Sequence, residues 1–376
     1  MSIIGIITIQ SKNLGNRLQN YALQFILDKL GANVITIKRK YYYTKKEKSK
    51  TIMSRLISPI YKIDYYKLFP YKIAQKLNKL ERTYNYEMFN RNYINLSNFY
   101  DEELNEKNDK KIDGYIVGSD QVWNPEFNML TGIDLLNFTS NEKKFSYAAS
   151  FGISQLPEYS KDMFKAQLRL FKKLSVREKA GKLIINKLMN REDVIVHPDP
   201  TLLIKKEEWD ILAEKPLYLK EKKYILTYFL GNLDQGLLLK IKKLAIEYDC
   251  EIIELLNKNN RFYSVGPKEF LFLEKNAFLI CTDSFHSSVF SFIFDVPFVV
   301  FDRKQKGKSS MNSRIESFLE TYYLKDRKIN IENDIREYIN HDYSLGYAEL
   351  KKQRKQALLY LEGICEDLKN GKNRKN

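Results

Sequence analysis

The stretch CTDSFHSSVFS, Cys281 to Ser291, sets one of only three histidines between two apolar runs. Upstream, FLICT is strand-compatible. Downstream, VFSFIFDVPFVVFD reads as a helical face followed by a buried strand over Val296 to Asp302. The turn then falls at Asp283 and Ser284, so Asp283, Ser284 and His286 lie at the carboxyl end of a strand and the amino end of a helix. That is where α/β sheets bind ligands and where free N–H groups favour anions. A histidine there can deliver a proton near neutral pH. Arg177, in LSVRE, ends another predicted strand, and its planar guanidinium can hold a phosphate or carboxylate by two hydrogen bonds or pair with a neighbour such as Glu178. In VGSDQVWNP, Trp123 either offers an apolar face to a pyranose ring or packs beneath the turn, while Asp120 and Gln121 offer directional hydrogen bonds. Asp120 can equally cap a helix, as can Asn13 and Asn16. Asp199, between two prolines, reads as a structural residue of a rigid turn before a functional one.

The elements that must position these residues repeat a strand-then-helix scheme. SIIGIITI is a strand, NLGNRLQNYALQFILDKLG an amphipathic helix ending at Gly31, and NVITIKR the next strand, a βαβ opening. Residues about 45–110 look mostly helical. IDGYIVGSD, KKFSYAASFG, KKLSVREKAG and DVIVHPDPTLL each run from a strand into a polar turn, and the pattern restarts at KYILTYFLG and CEIIELL. The predicted domains are residues 1–210 and 211–376, with a last helix over about 345–369 packing back across both. Parallel sheets require such helical crossovers.

Composition narrows the classes. With 376 residues and 44% apolar composition the chain can bury ample core, and a formal charge of +16 asks for an anionic partner. No stretch approaches the roughly 18 apolar residues of a membrane span, and no signal peptide is evident, which predicts a soluble, cytosolic protein. Three scattered cysteines suggest neither disulfides nor a zinc site, and no metal site is expected. Lysine and tyrosine interleave from Lys38 to Lys79, which suits peripheral contact with an anionic membrane at its inner face. No recognised nucleic-acid module accompanies the charge, so no nucleic-acid partner is expected.

Six segments, VGSDQVWNP, FSYAASFG, LSVREKAG, PDPTLL, VGPKEFL and TDSFHSSVFS, occur in an order that resembles the polysaccharide pyruvyl transferase family. The resemblance runs from LGNRLQNYALQ to NSRIESFLETYYL. It implies two Rossmann-like domains in a GT-B-like arrangement, with the active site in the interdomain cleft. It also implies transfer of pyruvate from phosphoenolpyruvate onto two hydroxyls of an envelope sugar, with no cofactor beyond the donor substrate itself and with a lipid-linked acceptor. His286 is then the expected general acid; Arg177, Ser284, Asp283, Arg303 and Arg314 are expected on the donor side, and Asn16, Ser119, Asp120, Gln121 and Trp123 on the acceptor side. Family members often carry arginine two positions before this histidine and glycine just after it, where this chain has Ser284 and Ser287. Ser284, backbone N–H groups and Arg303 or Arg314 must then supply the missing anion contacts. Two other classes fit the same features: a GT-B glycosyltransferase using a nucleotide sugar, and a noncatalytic binder of anionic glycans or nucleic acid.

Overall fold

A computed structural model describes residues 1–232, 234–303 and 313–373. Strand β1 (Ile3–Ile7), helix α1 (Leu14–Lys29) and β2 (Asn33–Lys38) form the opening unit. Gly31, at φ +82°, supplies the left-handed step that ends α1. Helices α2 (Lys45–Leu56), α3 (Tyr65–Leu68) and α4 (Tyr71–Tyr93) follow, and then β3 (Leu96–Tyr100) returns to the sheet. The sequence reading of residues 45–110 as mostly helical missed β3. Only Ser97 and Phe99 of its five residues are buried, so this edge strand carries no apolar run to announce it.

Next come α5 (Glu106–Asp109), β4 (Gly114–Val117), β5 (Lys144–Ser146), α6 (Glu158–Leu168), β6 (Ser175–Val176), α7 (Lys179–Met189) and β7 (Ile195–Val196). The first sheet has the order β3-β2-β1-β4-β5, and bridges from Phe145 to Lys173 and Ala149 to Val176 join it to the β6–β7 pair. A second unit contains α8 (Lys206–Leu212), β8 (Tyr224–Tyr228), α9 (Gln235–Glu247), β9 (Glu251–Glu254), α10 (Pro267–Lys275), β10 (Leu279–Thr282), α11 (Phe285–Phe294) and β11 (Phe298–Val300). Its order is β11-β10-β8-β9, and every strand pairing in both sheets is parallel. Helices α12 (Ser313–Thr321) and α13 (Ser344–Asn373) complete the chain.

In each sheet the strand order reverses beside the first strand: between β1 and β4, and between β8 and β10. Chains leaving adjacent strands there diverge to opposite faces and open a crevice at the carboxyl edge. The loop into α1 and the loop after β4 occupy one crevice; the turn into α11 occupies the other. A continuous core joins them, with Leu18, Leu23, Trp209, Phe270, Phe290 and Leu361 in a single buried cluster. Helix α13 spans the same ground: Tyr347 Oη donates to Phe292 O, Arg354 to Leu202 O and Ile204 O, and Tyr360 Oη to Ser146 O. Among the described residues no helix is long and apolar enough to cross a membrane.

Candidate active site

His286 sits in the first turn of α11, which Ser284 caps by accepting from Ser287 N at 3.5 Å. The side chain is 6% exposed, and Gly15 in the first turn of α1 lies directly against it. A Cβ on Gly15 would stand 2.2 Å from His286 Cγ. The amino ends of two helices, one from each sheet, therefore converge on the imidazole, and their partial positive charges favour an anion between them.

Asp199 holds the floor of this junction. Its Oδ2 accepts from Arg177 Nη1 at 2.7 Å and Ser119 Oγ at 2.9 Å, and faces His286 Nε2 at 3.6 Å. Its Oδ1 accepts from Thr201 N at 3.1 Å and Thr201 Oγ1 at 2.7 Å. Burial alone would raise this carboxyl; His286, Arg177 and Thr201 outweigh it and hold Asp199 far below the ordinary carboxylate range. Asp120, in the left-handed conformation at φ 72°, is the second anion. It accepts from Asn16 Nδ2 at 2.9 Å and faces Arg177 Nη2 at 3.5 Å and Arg314 Nη1 at 3.6 Å. Burial opposes its charge, yet Arg177, His286 and Arg314 keep it below its usual value.

The cations are arranged unequally. Burial works against the Arg177 charge, but Asp199, Asp120 and Glu178 outweigh it and raise the guanidinium above its ordinary value. Arg177 stacks on the Phe285 ring at 4.5 Å to the centroid, and Arg314 lies 5.8 Å from the same ring. Burial and the neighbouring Arg177 push Arg314 down to about 9, with Asp120 only partly compensating. A buried cation crowded by another is relieved by an incoming anion. Buried Arg177 Nε and Nη2 and His286 Nε2 form no hydrogen bond. Buried donors are normally satisfied, so three together mark a place where a ligand's acceptors belong. Arg177, Asp199, Phe285 and Arg314 also line a cavity of about 400 Å³ beneath α12.

The residues singled out in the sequence separate into groups. Asn16, Ser119, Asp120, Arg177, Arg314 and His286 are joined with Asp199 in one network. With its carboxamide oxygen turned toward Arg314, Gln121 accepts from Arg314 Nε at 2.8 Å, so it positions that cation. Trp123 is a correction: it is 0% exposed, packs on Phe151 and Phe171, and donates its indole N–H to Asp134 O at 2.8 Å, leaving no face for a sugar. Asp283 is another, since it accepts from Leu230 N at 2.7 Å and Gly231 N at 2.8 Å and so ties the turn after β8 to the start of α11. Arg303 braces it, with Nη2 on Asp283 O at 2.9 Å and Nε 3.3 Å from Asp283 Oδ2. Asn312, in the last resembling segment, lies outside the described residues. Asp199, Gly15 and Phe285 carry more of the site than their sequence context suggested. The usable signal was Gly15 itself, since a glycine inside a helix often marks a close approach. Among the described residues no group of three or more His, Cys, Asp or Glu stands in a metal-holding arrangement.

Residues 13–305 match the family described as polysaccharide pyruvyl transferase. No curated protein sequence matches the chain. Among solved structures, a Listeria monocytogenes protein assigned as a UDP-N-acetylglucosamine 2-epimerase is similar at TM-score 0.50 and 13% identity, covering 96% of this chain and 91% of that one. The Methanocaldococcus jannaschii UDP-GlcNAc 2-epimerase gives 0.48 at 16% identity, covering 92% of this chain and 94% of its own. At 13% identity the likeness to the Listeria monocytogenes protein is one of fold alone, a GT-B-like pair of α/β units.

Proposed function

The chain belongs to the polysaccharide pyruvyl transferase family, and from that membership we propose that it moves pyruvate from phosphoenolpyruvate onto a sugar of an envelope polysaccharide or its lipid-linked precursor. It is thus an enzyme, a transferase. The chief support for the donor is the cluster of buried nitrogens that make no hydrogen bond and face carboxylates only at 3.5–3.6 Å, Arg177 Nη2 and His286 Nε2, together with Arg177 Nε, at two facing helix amino ends. Phosphoenolpyruvate brings a carboxylate and a phosphate, the acceptors that such a cluster lacks.

In this reading Arg177 keeps Nη1 on Asp199 and turns its two remaining nitrogens, Nε and Nη2, to the substrate. His286 gives a proton to the methylene carbon of the donor, which becomes a methyl group while positive charge develops at the neighbouring carbon. One sugar hydroxyl adds to that carbon. Phosphate then leaves with its bonding electron pair, and the second hydroxyl closes the cyclic ketal. The hydroxyls release two protons: one replaces the proton that His286 gave up, and the other leaves with phosphate. Asp199 places a full negative charge 3.6 Å from Nε2, beside the edge that carries the transferred proton.

The acceptor lies in a groove of about 1050 Å³ that starts at Gln10, Ser11 and Arg17 and continues past Tyr42, Tyr43 and Tyr100. These rings replace Trp123 as the stacking surface for sugars. Titration calorimetry with phosphoenolpyruvate and with UDP-sugars tests the donor. Binding of phosphoenolpyruvate that Arg177→Ala abolishes is expected; binding of a UDP-sugar alone would assign the chain to glycosyl transfer.

A further inference from the structure

The layer formed by α2, α3 and the start of α4 is built inside out. It has its own small core of Tyr61, Tyr65, Ala74 and Leu77. Yet residues 41–73 hold nine of the 21 large apolar side chains that are exposed among the described residues. A surface helix ordinarily turns its apolar stripe inward. Helix α2 does the reverse. Its only buried residue is Ser54, whereas Met53 and Leu56 are 54% and 76% exposed. At 100° per residue Lys46, Ser49, Met53 and Leu56 share one outward arc. Leu68 at the end of α3, Phe69 in the turn after it and Ile73 on α4 continue the exposed apolar material.

Charge follows the same layer. Residues 40–79 contain ten lysines and one arginine against Glu47 and Asp64. Among the described residues Lys45, Lys46, Lys62, Lys72 and Lys76 form no ion pair. The neighbouring arc of α2, with Lys48, Thr51, Ile52 and Arg55, lines the groove that ends at Arg17, whose Nη2 donates to Asn16 Oδ1 of the active-site network at 2.7 Å.

We propose that this face docks on an anionic lipid bilayer, apolar side chains entering the headgroup boundary and lysines meeting acidic lipid, so that the groove opens toward the membrane surface. Apolar tips among lysines suit a bilayer better than nucleic acid, whose backbone offers no apolar phase. The inference deepens the acceptor half of the proposed function, but vesicle binding requires neither donor nor chemistry, so either can fail alone.

Flotation of the full chain with vesicles of phosphatidylcholine alone, or mixed with phosphatidylglycerol, tests it. Binding is expected only with phosphatidylglycerol present, and it should weaken as salt shortens the screening length. Each lysine near such a surface contributes roughly fivefold. The pair Lys45→Glu and Lys46→Glu should therefore lower binding by more than ~10-fold, with the fold intact because acidic residues suit a helix amino end. The pair Met53→Ser and Leu56→Ser should also release the protein while leaving turnover of a soluble acceptor unchanged. Absence of binding to phosphatidylglycerol vesicles, or variants that float like the parent chain, would overturn the proposal. So would a dimer in sedimentation that Met53→Ser with Leu56→Ser dissolves, or capture by double-stranded DNA in place of vesicles.

Discussion

Gly15→Ala sets two effects of opposite sign against each other. Gly15 occupies the first turn of α1 in ordinary helical conformation, so propensity alone favours alanine by up to ~1 kcal/mol. Against this, the new methyl would lie 2.2 Å from His286 Cγ and 2.3 Å from both its Cβ and Nδ1. Carbon atoms rest at about 3.5 Å or more, so roughly 1.3 Å of overlap must be absorbed. Ring rotation cannot absorb it, because His286 Cβ is itself in the way. One helix end must retreat from the other. Overpacking of this kind costs about 1–3 kcal/mol, leaving a net loss of about 0–2 kcal/mol and a folded protein. Catalysis is more sensitive, since a displacement of about 1 Å at a reacting group costs on the order of 10²-fold. The assay is phosphate release from phosphoenolpyruvate with a saturating sugar acceptor, alongside a thermal melt. A Gly15→Ala enzyme with turnover within threefold of the parent would refute the claim that the two helix ends position His286.

His286→Gln should retain donor binding and lose roughly 10²–10⁴ in turnover, the contribution of a positioned acid, measured by single-turnover kinetics. Arg177→Lys should weaken phosphoenolpyruvate binding by about 10- to 100-fold in calorimetry, because one ammonium cannot serve Asp199 and the donor at once. Asp199→Asn should cost about 3 kcal/mol in urea denaturation at neutral pH, since it removes the nearer of the two carboxylates that face the buried Arg177 charge and leaves only Asp120 at 3.5 Å. The folded-state depression of Asp199 contributes stability that is present above its unfolded value of about 4 and is lost as pH falls below it. The gap between parent and Asp199→Asn should accordingly narrow as pH drops below about 4.

How much was legible in the sequence depended on how local the governing physics was. β1, α1 and β2 could be read because an apolar run, a helical period and Gly31 are all contained within the segment itself. The strand-to-helix turn at Asp283 and His286 was legible for the same reason. β3 was not, because an edge strand with a polar outer face looks like a loop. Trp123 offered no way to separate a buried ring from an exposed one; its place depends on Phe151, Phe171 and the distant Asp134 carbonyl. Asp199 gained its role from Ser119, 80 positions away, and from His286, brought by the other sheet. No periodicity within PDPTLL encodes those contacts.

The proposed reaction takes pyruvate, and not a sugar, from the donor. Phosphoenolpyruvate labelled separately in its carbon atoms and in its phosphate, incubated with the enzyme and a panel of lipid-linked sugars, tests it most directly. The carbon label is expected to enter the sugar as a ketal with a methyl group while the phosphate label appears as free phosphate. Phosphate label on the sugar, or carbon label that stays in solution while a nucleotide sugar is consumed, would contradict it.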